Sequence, residues 1–308
     1  MDISGIFNID KPSGRTSFQV VSLVRRLSGV RRVGHAGTLD PSATGVLVVC
    51  LGQATRLIEY MMEATKFYRA EVRLGITTDT LDATGTPMSQ ADPSNIDRQQ
   101  VEEALTAFVG EIDQVPPMFS ALKYNGEPLY RYARAQMQVE RQARRVTIHR
   151  LQLLAFQPPL ATIEVECGKG TYIRALAHDL GQKLGCGAHL AALARLRVGP
   201  FTLDDACSLP QLEAAFQERR WHSLLRPPDA ALPSWPAVTL SEPQERAVRF
   251  GQCLAADSLE PAQAVENDQL CRAYSPRGQL VAILRYDAAA LLWRPVKVFA
   301  AAEEAQEP

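Results

Sequence analysis

Alternation of apolar and polar positions is clearest in Lys66–Leu74, where Tyr68, Ala70, Val72 and Leu74 fall on one side and Arg69, Glu71 and Arg73 on the other. Side chains of a strand alternate between faces, so this predicts a strand with one wet face and with Tyr68 pointing inward near its start. Ala161, Ile163, Val165 and Cys167 alternate in the same way with Thr162, Glu164 and Glu166. The apolar runs Ile6–Ile9 and Val46–Cys50 predict a short strand and a buried one. Helical spacing shows in Val20, Val24 and Leu27, opened by Thr16 and Gln19 at capping-box spacing and closed by Gly29. Three more helices are predicted. One carries Ala54, Leu57, Ile58 and Met61 on a face; one runs from about Asp97 to Val109; one begins near Thr171, with Tyr172, Leu176 and Leu180 in line and Gly185 at its end. Prolines at 227, 228, 233 and 236 mark a linker. Beyond it, short candidate strands at 247–250, 270–274, 280–284 and 296–299 predict a small all-β barrel, and 301–308 reads as a disordered tail.

With 308 residues, 46% of them hydrophobic, the chain can fill one large core and a smaller one. The net charge of −1 gives no hint of a polyanionic partner, but its distribution does. Residues 204–308 hold 10 basic and 15 acidic side chains, leaving 23 and 19 in the first 203. Arginines cluster at 25, 26, 31 and 32, and again at 131, 134, 141, 144, 145 and 150, a pattern suited to phosphate contact or to a solvated helix face. The first residues are acidic and the longest apolar run, Val46–Leu51, is far too short to span a bilayer, so a cytoplasmic protein without membrane contact is expected. Six scattered cysteines without a C-x-x-C pair and five histidines without H-x-x-x-H spacing indicate neither disulfides nor a metal site. No glycine-rich nucleotide fingerprint appears, so no cofactor is expected.

Chemistry concentrates in Gly34–Leu47, which packs three glycines, Pro41, three hydroxyl residues, His35 and Asp40 into fourteen positions. Pro41 pushes Asp40 out of the helical region, and the glycines allow positive φ or close approach of another chain. One acid is thereby presented on a turn, which by itself is also an ordinary Asp-Pro turn opener.

The stretch resembles the signature of the TruB family of pseudouridine synthases, which act on the T-loop of transfer RNA at uridine 55. The resemblance continues in Asp10–Ser17, in the Lys-x-Tyr-Arg motif at Lys66–Arg69, in Thr77–Gly85, in Pro116–Gly126 with Tyr130–Arg134, in Gly170–Arg174 and in Gly187–Phe201. It implies an α+β fold: a pseudouridine-synthase-type mixed, largely antiparallel sheet flanked by helices, with a small C-terminal all-β PUA-like barrel. The implied division is a catalytic domain over residues 1–232, with an RNA-clamping insertion at about 115–150, a PUA-like RNA-binding domain over 237–302 and a tail at 303–308. In the insertion, aromatics interleaved with cations can stack on bases and neutralise phosphate, and Asn125-Gly126 reads as a turn.

Asp40 then matches the catalytic aspartate, Arg174 the arginine that pairs with it, and Tyr68 the tyrosine lying against the target uracil, although a core tyrosine would suit the same position. His35, Tyr172, Asp82, Lys11, Gly37, Leu39 and Lys123 are implied as the substrate's surroundings, Lys11 with Pro12 as structural support. An opposed cation typically lowers a carboxylate pKa by about one to three units, so Arg174 is expected to hold Asp40 ionised. A lone carboxylate beside a stacking tyrosine suits base flipping and isomerisation better than hydrolysis, which commonly uses two carboxylates. The sequence leaves open whether Asp40 attacks sugar or base or abstracts a proton. Two other classes are compatible with the residues: an RNA chaperone that refolds transfer RNA, alone or alongside catalysis, and a hydrolase using Asp40 and His35 that would release uracil. A monomer is the default expectation.

Overall fold

The computed structural model describes residues 3–259 and 266–300; the expected tail lies outside them. From the N-terminus, β1 (Gly5–Lys11) leads to α1 (Ser17–Ser28), whose capping box between Thr16 and Gln19 and left-handed Gly29 set its ends as the sequence predicts. β2 (Val33–His35), β3 (Thr44–Leu51), α2 (Ile58–Glu63) and β4 (Lys66–Leu74) follow, then β5 (Ile76–Thr78), β6 (Pro87–Gln90), α3 (Arg98–Thr106) and β7 (Gly110–Gln114). The insertion holds β8 (Lys123–Tyr124), β9 (Glu127–Pro128) and α4 (Leu129–Arg134). Asn125 and Gly126 both take positive φ between β8 and β9, the backbone that a two-residue hairpin turn requires. Then come β10 (Arg144–Gln157), β11 (Leu160–Cys167), α5 (Ile173–Lys183), β12 (Ala188–Val198), β13 (Phe201–Thr202), β14 (Cys207–Ser208) and α6 (Leu209–Gln217). Beyond residue 236 lie β15 (Ala237–Thr239), α7 (Glu242–Arg249), β16 (Leu254–Ala255), β17 (Leu270–Tyr274), β18 (Leu280–Asp287) and β19 (Leu292–Val298).

The large sheet has the order β14-β1-β3-β12-β4-β11-β10-β7, with β2 on β3 and β13 on β12. Among the described residues, only β1–β14 and β3–β12 of this sheet pair in parallel, so the sheet is mixed and largely antiparallel. β3 shows how its faces are used. Leu47, Val49 and Leu51 pack with Val20, Val24 and Leu212 of α1 and α6, while Val46, Val48 and Cys50 pack with Leu57, Met61, Ile283 and Phe299. Six consecutive side chains are thus fully buried, a gross contribution on the order of 10 kcal/mol. α3 and α5 cover the inner face of β4 and β11 through Val101, Leu105, Leu176 and Leu180.

The C-terminal sheet, β15-β17-β18-β19-β16, has its own core around Val238, Val248, Cys271, Val281, Leu284 and Trp293. Residues 247–250, expected as a strand, are instead the end of α7. Ser241 and Gln244 form a capping box that starts a helix there, and tertiary packing overrides the β propensity of four residues. The proline-rich linker is packed down: Ala231 and Leu232 are buried and the Trp235 ring meets Tyr60 edge-on at 4.9 Å. The helix expected at Ala54–Met61 opens with a 3-10 segment over Gly52–Leu57. Among the described residues, no helix is long and apolar enough to cross a membrane.

Candidate active site

Asp40 sits between β2 and β3 on a loop pinned from several sides. The Lys11 ammonium, at the end of β1, donates to the carbonyls of Arg15 (2.7 Å), Pro12 (2.9 Å) and Pro41 (3.3 Å). Gly14 N–H also reaches the Pro41 carbonyl at 2.8 Å, and the buried Ser17 hydroxyl donates to Leu39 C=O and accepts from Leu39 N–H. Lys11 is wholly buried, and burial pulls its pKa down to about 8, which leaves it charged at neutral pH. It braces the Asp40-Pro41 turn and does not face the pocket, in keeping with its reading as support. Gly45, at φ +95°, lets the backbone of β12 approach: a Cβ there would lie 2.2 Å from the Arg195 carbonyl.

Arg174 arrives from the first turn of α5, which Tyr172 opens without a side-chain cap of its own. A cation is disfavoured at a helix N-terminus, and two carboxylates offset that. Its Nε lies 2.9 Å from Asp40 Oδ2 and its Nη2 3.3 Å from Asp40 Oδ1, a two-pronged pair. The remaining donors reach the carbonyls of Phe119 (2.8 Å, from Nη2) and Thr80 (3.2 Å, from Nη1), and Nη1 lies 3.7 Å from Asp82 Oδ2. Asp82 is only 7% exposed. Its Oδ1 accepts from the hydroxyls of Thr80 (2.8 Å) and Thr84 (2.6 Å) and from Thr84 N–H (2.9 Å). Anticipated as an RNA contact, it faces the arginine from the cavity wall.

The electrostatic balance at Asp40 differs from expectation. A third of its side-chain surface (35%) opens into the pocket, but the walls withhold bulk water, and this desolvation pushes its carboxyl above the ordinary range. The nearby Asp82 charge pushes the same way, while Arg174 and, less strongly, Lys11 oppose it. Burial wins over the ion pair because the groups withholding water are numerous and Arg174 is shared among Asp40, Asp82 and two carbonyls.

Asp40 and Arg174 line a cavity of about 1150 Å³ together with Gly37, Leu39, Tyr68 and Tyr172. Asp82, Phe119, Tyr130, Arg134, Arg144, Arg145 and Lys169 also reach its walls. Tyr68 lies opposite Val165 on one side and Arg195 on the other, and burial raises its hydroxyl pKa. His35 and Lys123 are outside these walls: His35 pairs with Val49 in β2, where burial and the Arg195 charge lower its pKa, and Lys123 is exposed in the β8–β9 hairpin.

Three supporting residues were given no role from the sequence, although Lys66 and Arg195 fall in the family-like stretches Lys66–Arg69 and Gly187–Phe201. Arg195 is 1% exposed and donates to the carbonyls of Val46 (2.8 Å) and Gly37 (3.0 Å), fixing the site loop from behind Tyr68. Lys66, whose pKa burial draws down to about 8, donates to carbonyls at the end of α2, among them Ala64 at 2.6 Å. The Gln114 carboxamide holds both N–H and C=O of Tyr172. A charged or amide side chain on the apolar face of a strand was the available signal. It is visible for Lys66, but hidden for Arg195 because β12 itself was not foreseen.

Residues 25–173 match the family described as TruB family pseudouridylate synthase (N terminal domain), and residues 174–233 match the tRNA pseudouridylate synthase B C-terminal domain. The chain is 46% identical to the tRNA pseudouridine synthase B of Syntrophotalea carbinolica over 278 residues, covering 90% of each. Against that of Pseudomonas aeruginosa it is 51% identical over 243 residues, 78% of this chain and 80% of the relative. Among solved structures, a chain of an H/ACA ribonucleoprotein bound to a substrate RNA containing 2'-deoxyuridine superposes with a TM-score of 0.74 at 25% identity, over 96% of this chain and 85% of that one. The Cbf5-Nop10-Gar1 complex contains a chain matched equally well, at 26% identity, over 96% of this chain and 84% of that one. Sequence identity across nine-tenths of a relative, the fold, and the domain matches from residue 25 to residue 233 agree: the chain belongs to the TruB family of pseudouridylate synthases.

Proposed function

We infer that the protein is a tRNA pseudouridine synthase, converting a uridine of transfer RNA to pseudouridine, and that its target is uridine 55 in the T-loop. Family membership and the names of its relatives support the reaction and the RNA class. The observation that carries the chemistry is the Asp40–Arg174 pair in a cavity that Tyr68 also lines. Pseudouridine formation must break the bond from uracil N1 to the sugar, turn the base, and join C5 to the sugar while excluding water. The cavity is large enough for a flipped nucleotide, Tyr68 offers it a stacking surface, and base–aromatic stacking of about 1–3 kcal/mol offsets part of the unstacking. Of the carboxylates at its walls, Asp40 is the one held by Arg174 on both of its oxygens, while Glu63 pairs with Lys169 and Asp79 accepts from Thr86 N–H. Asp82 is committed to three donors and to Arg174, so it is not poised to activate water. That distinction favours isomerisation over hydrolysis.

Arg134, Arg144, Arg145 and Lys169 at the cavity walls suit the phosphates of the flipped loop, with the insertion at 115–150 closing over it. We assign residues 237–302 to a PUA-like domain that extends the RNA contact; the five-stranded sheet with its separate core supports this. The reaction is tested on an unmodified tRNA transcript labelled with tritium at C5 of uridine, since pseudouridine formation releases that label to water. Stoichiometric release, mapped to the T-loop by carbodiimide-blocked primer extension, is expected. Release mapping elsewhere overturns the T-loop assignment, and free uracil in the products overturns isomerisation.

A further inference from the structure

Gln114 is the last residue of β7, where the chain leaves the large sheet and enters the insertion. The residue is 1% exposed and does not line the cavity. Its Oε1 accepts from the N–H of Tyr172 at 2.7 Å, and its Nε2 donates to the C=O of Tyr172 at 3.0 Å. Tyr172 is the residue that opens α5, and its carbonyl also accepts the helical bond from Leu176 N–H. One buried amide therefore saturates the backbone of the residue two places before Arg174, at a helix end that lacks a side-chain cap. Five residues beyond Gln114, the Phe119 carbonyl accepts from Arg174 Nη2 at 2.8 Å. The root of the insertion is thus tied to the start of α5 at two points, once through the backbone of Tyr172 and once through the guanidinium that grips Asp40.

We propose that Gln114 is a positioning residue for the reaction, holding the first turn of α5 so that the Arg174 guanidinium meets Asp40 with both prongs. The inference rests on the pseudouridylation reading, in which that pair carries the chemistry. A two-pronged contact depends on orientation, and a displacement of about 1 Å in a catalytic contact can cost on the order of 10²-fold in rate. Rotation of one helix turn is such a displacement. An uncapped helix start without its amide partner would rotate or fray.

The test compares wild type, Gln114→Met and Gln114→Glu as full-length proteins in the tritium-release assay, with kcat, KM and the pH dependence of kcat measured for each. Methionine fills a similar volume and removes both hydrogen bonds. Its kcat is expected to fall 10- to 30-fold with KM within twofold of wild type. Asp40 faces Arg174, Asp82 and Lys11 as charges, with the Tyr68 and Tyr172 hydroxyls nearby. With Arg174 displaced, burial and Asp82 are less opposed, so the acid limb of the profile moves to higher pH. Glutamate keeps the acceptor for Tyr172 N–H and loses the donor, and is expected to recover at least threefold of the loss. A Gln114→Met enzyme with kcat within twofold of wild type, a loss confined to KM, or a kcat loss with an unmoved acid limb assigns Gln114 to fold support alone and overturns the proposal. Should Gln114→Met fail to fold, Gln114→Glu decides: a threefold or greater drop in kcat at constant KM supports the proposal, and wild-type kcat overturns it. Wild type that releases no tritium overturns the pseudouridylation reading itself, an outcome distinct from active wild type with unimpaired variants.

Discussion

Replacing Arg174 by lysine keeps a positive charge beside Asp40 and removes the fork that delivers it. The guanidinium donates one hydrogen bond each to Asp40 Oδ1 and to the Phe119 and Thr80 carbonyls, holds its Nε 2.9 Å from Asp40 Oδ2 as an ion pair, and lies near Asp82. A lysine nitrogen is a single point, and from the same helix position it can meet Asp40 or the carbonyls but not all of them. At least two bonds are lost. Net hydrogen bonds to charged groups contribute about 1.5–3 kcal/mol each, and with partial rescue by water through the pocket the expected destabilisation is about 3 kcal/mol. In a protein of this size that lowers Tm by roughly 4–5 °C. Turnover is expected to fall more than stability accounts for, by about 10²-fold in kcat, because Asp40 keeps a counter-charge but loses its fixed orientation. Tritium release under saturating tRNA at 25 °C, where the variant remains folded, measures the effect. An Arg174→Lys enzyme with kcat within threefold of wild type would refute the reasoning, since charge alone would then suffice.

Other perturbations separate the remaining contributions. Asp82→Asn removes a like charge that helps raise the Asp40 pKa; since Asp40 must be ionised to act, the acid limb of kcat should move to lower pH, and an upward shift in the pH–rate profile would contradict the sign. Tyr68→Leu should cost about 5- to 150-fold in kcat/KM, the rate equivalent of a lost stacking contact of about 1–3 kcal/mol, read in the same tritium assay. Gly45→Ala forces a Cβ to 2.2 Å from the Arg195 carbonyl at a φ of +95° and should destabilise by more than about 2 kcal/mol in a thermal melt, whereas Gly29→Ala, with open space around it, should cost less.

What the sequence discloses follows from how local each signal is. The strand at Lys66–Leu74, the capping box at Thr16 and the Asn125-Gly126 turn are written within a few residues, and each appears where it is read. β12 is the opposite case. It lies in the middle of the sheet between β3 and β4, and two register shifts, at 190/192 and 195/197, break the alternation that would announce it. Missing that strand hid Arg195, whose side chain crosses to the Gly37 carbonyl. The 134-residue separation of Asp40 and Arg174 lies beyond any spacing rule, and only the resemblance of Gly170–Arg174 to a family motif brought them together. The direction of the Asp40 pKa went the other way because a sequence reveals the partner cation but not the amount of water that the surrounding walls remove.

Asp40→Asn tests the central claim most directly. Asparagine preserves size and polarity while removing the ionised oxygen, so the variant should bind unmodified tRNA within a few-fold of wild-type affinity and release no tritium above background over many wild-type half-lives. Tritium release by Asp40→Asn at a rate within tenfold of wild type, with the label mapping to the same uridine, would contradict it and move the chemistry to another residue of the pocket.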